Sequence, residues 1–197
     1  GIISMQELSL HILDLVRNSI AAGATKVIIS IYQKGNFLYI SISDNGKGMD
    51  KDTLRSVESP FMTSRNTRKV GLGIPLFKAA AEQSGGTFEI ESAENVGTRV
   101  TGSFGIDSID RQPLGELDET VTALIISDPD INYELRLEST KDAYRMDTKE
   151  VKDVLGEVHI TEPEVMEWIR EHIKEGIRTV FGGVLNEVNS GIGRNQE

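Results

Sequence analysis

The segment Phe37-Leu38-Tyr39-Ile40-Ser41-Ile42-Ser43-Asp44 constrains the fold more than any other stretch of the chain. Its apolar and polar residues alternate, so Leu38, Ile40 and Ile42 share one face of a strand. Asp44 is the next residue on that face. A carboxylate at the edge of an apolar surface is costly unless something hydrogen-bonds it. Asn45-Gly46-Lys47-Gly48-Met49 follows at once, and two glycines one residue apart let backbone approach a ligand closely. The arrangement suits an acid that reads a flat, donor-bearing group with a loop wrapped around it. Taken alone, the same stretch reads equally well as a turn, because Asn-Gly is a common turn signal.

The surrounding pattern places this strand in a larger unit. Ser4-Met5-Gln6-Glu7 reads as a capping box opening a helix. Leu8, Ile12, Leu15 and Ser19 give that helix a packing stripe at helical spacing. Glu7, His11, Asp14 and Asn18 form a second, polar line, whose plain reading is a solvated face. Gly23 ends the helix. Residues 27–32 and 37–43 predict two strands joined as a hairpin at Lys34-Gly35-Asn36. Asp50 caps a short helix reaching about Glu58, with Pro60 as its stop. A polar loop follows, and Gly71-Leu72-Gly73-Ile74-Pro75 opens the next helix. Leu76, Phe77, Ala80 and Ala81 supply its buried side, and Ser84-Gly85-Gly86 ends it. Residues 87–91 and 98–104 predict a second antiparallel pair. This order predicts an α+β fold, a two-layer α/β sandwich with helices on one face of a mixed or antiparallel sheet.

The pattern breaks near residues 107–119, which divides the chain into a domain at 1–107 and an extension at 108–197. Residues 120–127 and 133–138 predict a further hairpin, turned by Asp128-Pro129-Asp130. Residues 148–155 predict a short helix. Thr161-Glu162-Pro163-Glu164 begins a longer one reaching about Leu185, with an apolar line through Val165, Trp168, Ile169, Ile173, Ile177, Val180 and Phe181. The extension reads as a hairpin plus helices that continue the sheet or offer a partner or dimer surface.

Composition removes several function classes. The chain has 31 acidic and 21 basic residues, for a net charge of -10. That disfavours nucleic acid and anionic membranes, which need a positive face. Residues 65–69 are the one basic candidate patch. With no cysteine there is no disulfide, thiolate zinc site or cysteine nucleophile. No apolar run approaches the roughly 20 residues that span a bilayer, and no signal-peptide pattern opens the chain. A cytoplasmic location is the expectation. Gly1 in place of Met points to a trimmed start.

Gly71-Leu72-Gly73 before a helix suits an anion, because unpaired N–H groups and the helix dipole meet there. It matches neither the G-x-x-x-x-G-K-[ST] loop nor a G-x-G-x-x-G fingerprint after a strand. The order of the motifs is what singles the chain out. Asp14 and Asn18 lie one turn apart on a helix. Asp44-x-Gly46-x-Gly48 ends a strand, and Gly71-x-Gly73 and Gly97-Thr98 follow. In this the chain resembles the GHKL superfamily of gyrase, heat-shock chaperone, histidine kinase and mismatch-repair ATP-binding domains. Residues 14–25 resemble the mismatch-repair version, and residues 59–64, 71–76 and 84–86 resemble a histidine kinase. The resemblance covers roughly residues 4–105.

The resemblance implies ATP and Mg²⁺ as ligands. It implies Asn18 as the Mg²⁺ ligand, a role that an amide oxygen suits. It implies Asp44 as acceptor for the adenine amino group, supported by Thr98, with Gly46, Gly48 and Met49 around the base. Gly71, Leu72, Gly73 and Ile74 would cradle phosphates, and Thr63 and Lys69 would belong to a lid. Asp14 stands where family ATPases carry a Glu base, one methylene longer. Ala21 stands where a charged residue is common. Both departures put fast hydrolysis in doubt without touching nucleotide binding. The chain begins at the ATP-binding helix, with no dimerising hairpin and acceptor His before it. His11, His159 and His172 are its only histidines, and none reads as a phosphoacceptor. The resemblance therefore implies a stand-alone regulatory kinase or nucleotide switch acting on a separate partner protein, as anti-sigma-factor kinases do. The alternatives are a slow ATPase with lid closure and dimerisation, and a non-catalytic nucleotide-binding module.

Overall fold

The computed structural model describes residues 7–58 and 73–189. Ser4 to Gln6, Thr63, Lys69, Gly71 and Leu72 lie outside the described residues. The elements are α1 (Leu8–Ala21), β1 (Lys26–Lys34), β2 (Phe37–Asp44), α2 (Lys51–Glu58), α3 (Gly73–Gln83), β3 (Phe88–Ala93) and β4 (Gly97–Gly105). They continue with α4 (Leu117–Ser127), β5 (Asn132–Glu138), β6 (Ala143–Asp147), α5 (Thr148–Leu155), α6 (Pro163–Phe181) and α7 (Asn186–Asn189). The strands form one six-stranded mixed sheet in the order β3-β4-β2-β1-β5-β6. Among the described residues only β1 and β5 pair in parallel; the other neighbours are antiparallel. The expected α+β sandwich is what the structure shows.

Period-2 patterning builds the core. Val27, Ile29, Ile31, Leu38, Ile40, Ile42, Val100, Phe104, Leu135 and Leu137 are buried on one face of the sheet. Each such side chain contributes about 1.5–3 kcal/mol. Helices cover that face through Leu8, Ile12 and Leu15 of α1, Phe77 and Ala81 of α3, and Ile169, Ile173 and Phe181 of α6. Leu76, expected on the buried side of α3, is only partly buried. No helix among the described residues is long and apolar enough to cross a membrane.

Four expectations are corrected. First, α1 starts at Leu8, with Glu7 at its N-cap position and no side-chain cap bond. The N–H groups of Leu8 and Ser9 instead donate to the carbonyls of Pro113 and Leu114 at 2.9 Å. A distant segment thus satisfies the free donors that a helix start leaves over.

Second, the polar line of α1 is not solvated. His11 is 2% exposed and bonds Gln112, while Asp14 and Asn18 are partly buried.

Third, residues 120–127 are not a strand but the body of α4. Leu117, Val121, Leu124 and Ile125 are buried at helical spacing. The β-branched run Thr120-Val121-Thr122 suggests a strand by propensity, and burial of this stripe overrides it. Thr122 is accommodated because its hydroxyl donates to the Asp118 carbonyl at 2.9 Å. The partner expected of residues 120–127 is therefore not β5, which pairs with β1 and β6.

Fourth, α6 stops at Phe181 rather than near Leu185. Trp168, expected on its apolar line, is 54% exposed.

The opposite face of the sheet carries a buried charge. Glu134 is 2% exposed beneath Lys26, Arg136 and Arg145, at 3.7, 2.8 and 2.7 Å. Burial pushes its carboxyl up, and the hydrogen bonds and charges of Arg136 and Arg145 outweigh that and hold it low.

Candidate functional site

β2 carries Asp44 to the rim of the apolar face, directly across from Thr98 of β4. The Ser19 hydroxyl of α1 donates to Asp44 Oδ2 at 2.6 Å. The Gly46 N–H donates to Asp44 Oδ1 at 2.9 Å. Both are charge-assisted bonds. Each carboxylate oxygen has two lone-pair sites, so each keeps one for a further donor. The acid is thus fixed in orientation without being used up.

The following loop is held just as firmly. Asn45 Oδ1 accepts from the N–H groups of Thr25 and Lys26 at 2.9 and 3.0 Å, and its Nδ2 donates to Thr25 Oγ1. The Lys47 N–H donates to the Ala22 carbonyl at 2.8 Å. A Cβ at Gly46 would stand 2.9 Å from Ala22. Gly48 has φ +68°, and a Cβ there would overlap the Ala93 carbonyl. The Met49 N–H donates to Ser92 Oγ at 2.8 Å, and Ser92 Oγ lies 2.7 Å from Thr98 Oγ1. Two strands and α1 therefore shape one loop.

These elements enclose a cavity of about 130 Å³. Asn18, Asp44, Gly48, Met49, Ile74 and Thr98 line it, together with Leu15, Ile42, Val100 and the two alanines Ala21 and Ala22. One polar wall faces apolar ones, as a flat heterocycle requires. Gly46 stands behind Asp44. Gly73 begins α3 close against α1: its Cβ would lie 3.3 Å from Asp14 Cβ and 3.6 Å from Asn18 Nδ2. Asn18 Nδ2 is buried and has no hydrogen-bond partner among the described residues. An unpartnered buried amide beside a helix start is an opening for a ligand. Asp14 is next to this point but does not line the cavity. Among the described residues no group of three His, Cys, Asp or Glu could hold a metal ion.

Ser19, Ser92 and Asn45 are the residues that sequence reasoning left without a role. Ser19 is the polar end of the stripe Leu8, Ile12, Leu15, which was its available signal. Thr98, expected to support Asp44, bonds Ser92, and Ser19 is the side chain bonded directly to the acid.

His11 sits one turn before Asp14, buried, with Nε2 2.9 Å from Gln112 Oε1. Burial lowers its pKa, against the Gln112 bond and the Asp14 charge. A folded-state pKa below the ordinary 6.5 means the unfolded chain takes up the proton first. His11's contribution to stability is therefore complete above about pH 6.5 and declines as pH falls toward its folded value. Denaturant midpoints compared at about pH 7.5 and 5.5 should fall for the parent. They should fall less for His11→Gln. His159 is exposed, and His172 Nδ1 bonds the Tyr144 hydroxyl at 2.7 Å.

Comparison with known proteins follows the same lines. The family described as histidine kinase-, DNA gyrase B- and HSP90-like ATPase matches residues 5–107. Sensor histidine kinase ZraS of Escherichia coli O157:H7 is 31% identical over 53% of this chain and 23% of its own length. DNA mismatch repair protein MutL of Lactococcus lactis subsp. cremoris is 25% identical over 91% of this chain and 28% of its own length. The chain thus spans less than a third of either relative. A crystal structure of the N-terminal domain of a DNA repair protein superposes with TM-score 0.52 at 15% identity. It covers 80% of this chain and 60% of that one.

Proposed function

The chain belongs to the histidine kinase-, DNA gyrase B- and HSP90-like ATPase family, and from that premise we propose that it is an Mg²⁺-dependent ATP-binding protein that regulates a separate partner protein. The fixed carboxylate of Asp44 carries this reading. Its remaining lone pairs suit the exocyclic amino group of adenine. Ile42, Gly48, Met49 and Thr98 surround the base. Asn18 Oδ1 is the hard oxygen that would hold Mg²⁺, with phosphates and water supplying the other positions. The N–H groups of Gly71, Leu72, Gly73 and Ile74 would receive the phosphates at the start of α3, and Thr63 and Lys69 would close over them.

In the reaction, Asp14 is the candidate base, accepting a proton from the attacking hydroxyl or water. Such transfer depends mainly on positioning and electrostatics. A carboxylate one methylene short reaches less far, so slow turnover is expected. The partner's side chain is the acceptor in the kinase reading, in a cytoplasmic setting. Two observations favour a second reading, a slow ATPase with ATP-driven lid closure and dimerisation. The mismatch-repair relative aligns with 91% of the chain, and β5 joins the sheet of the nucleotide site directly through β1.

γ-Labelled ATP and Mg²⁺, with and without host lysate, separate these. Label on a second protein supports the kinase; free phosphate alone supports the ATPase. Measurable ATP affinity with neither leaves a binding module. Nucleotide choice is a sharper check. Guanine presents a carbonyl where adenine presents its amino group, and a carboxylate repels it. Calorimetry should show ATP preferred over GTP by about 100-fold. Ser19→Ala should weaken ATP binding by about tenfold through the lost hydrogen bond to Asp44. Equal affinity for the two nucleotides would refute the adenine-reading role.

A further inference from the structure

A larger cavity, about 680 Å³, opens between the start of α1, residues 113–118, α6 and α7. Asp118 lines it from the first turn of α4 and is 2% exposed. Its Oδ2 is buried and has no hydrogen-bond partner among the described residues. Lys174 Nζ stands 3.9 Å away, beyond hydrogen-bond range, and is shared with Glu171 at 3.5 Å. A buried carboxylate oxygen without a donor is costly, and the fold has not removed it. Burial pushes this carboxyl up, and Lys174 only partly opposes that. Leu114 and Ile177 give the cleft a buried apolar wall. Glu116 and Glu171 stand exposed at its rim.

We propose that this cleft binds a small organic cation, an ammonium on a short aliphatic stem, with the ammonium donating to Asp118 Oδ2. The ammonium supplies the donor that no described residue gives this oxygen. The stem covers Leu114 and Ile177, and the rim carboxylates concentrate cations at the entrance. Lys174 and Arg178 also line the cleft, but five carboxylates outnumber them, so an anion is repelled on balance. A divalent metal fits poorly, since no three carboxylates or imidazoles among the described residues converge on one point. The site is separate from the Asp44 cavity and stands whether or not that cavity takes ATP. Its wall belongs to the segment whose Pro113 and Leu114 carbonyls receive the N–H groups opening α1. Thr120 Oγ1, two residues after Asp118, adds a bond to the Ser9 carbonyl at 3.3 Å.

Putrescine is the probe, titrated by calorimetry into the full chain at about 150 mM salt, where long-range attraction is screened. Its neutral isostere, 1,4-butanediol, is the control. Saturable one-to-one binding of putrescine, and none of the diol, is expected. Asp118→Asn keeps the shape, removes the charge, and should weaken binding at least tenfold. Lys174→Met, at a half-exposed position, removes the competing cation and should strengthen binding about threefold. Unsaturable binding, equal binding of the diol, or unchanged affinity in Asp118→Asn overturns the proposal. So does weaker binding in Lys174→Met, which decides the matter even where Asp118→Asn misfolds.

Discussion

Asp44→Asn should cost about 100-fold in ATP affinity, or ~2.8 kcal/mol, while the protein stays folded. Both parts of that expectation come from the hydrogen bonds around residue 44. The carboxylate accepts from Ser19 on one oxygen and from Gly46 on the other. An amide keeps one acceptor and gains an NH₂ group. With its oxygen still on the Gly46 N–H, the NH₂ faces Ser19. Ser19 can accept there, because its own proton has a second partner, the Leu15 carbonyl at 3.4 Å. The fold therefore tolerates the change. The cavity does not, since an NH₂ now meets the adenine amino group, donor against donor. The reversed amide would set its NH₂ against the Gly46 N–H. The same substitution should narrow the preference for ATP over GTP, because guanine offers an acceptor to the new donor. Calorimetry with both nucleotides, alongside a thermal melt, checks all three statements. ATP affinity within threefold of the parent would remove Asp44 from the site.

How much of this was legible in the sequence depends on range. β2 was legible because period-2 alternation is local, and Asp44 broke the expected run on one face. The glycines at 46, 48 and 73 were legible as a pattern, and each proves to lie against a neighbouring element. Ser19 was not legible as the holder of Asp44. Its bond spans 25 positions, and helical spacing marked it only as a contact. The cap of α1 failed for the same reason: the N–H groups of Leu8 and Ser9 bond the carbonyls of Pro113 and Leu114, far along the chain. In α4, strand propensity and helical spacing disagreed over residues 120–127, and only the burial of Val121, Leu124 and Ile125 decided. The parallel pairing of β1 with β5 lies beyond any local signal, although the sequence allowed that the second half continues the sheet. The roles proposed for Thr63, Lys69, Gly71 and Leu72 rest on sequence alone.

Gly97→Ala should be the most damaging single-methyl change near the site, costing about 3–5 kcal/mol, against about 1–2 kcal/mol for Gly35→Ala. Both glycines have positive φ, +144° at Gly97 and +60° at Gly35. They differ in what a methyl group meets. Nothing lies within 4 Å of a Cβ at Gly35, so its cost is that of the left-handed conformation alone. A Cβ at Gly97 would overlap the Asp44 carbonyl and lie 3.1 Å from Asn45 Cα. At φ +144° the alanine is strained before any contact is counted. Relief requires β4 to move from the end of β2, and that movement carries Asp44 with it. Such a loss is a large share of the roughly 5–15 kcal/mol by which domains are stable. Urea unfolding of the two variants, with ATP titration of whatever remains folded, measures both consequences. Gly35→Ala should bind ATP like the parent, and Gly97→Ala should lose stability and affinity together. Equal destabilisation by the two would mean that the start of β4 yields easily, and that the Asp44 carboxylate is not held as rigidly as its hydrogen bonds imply.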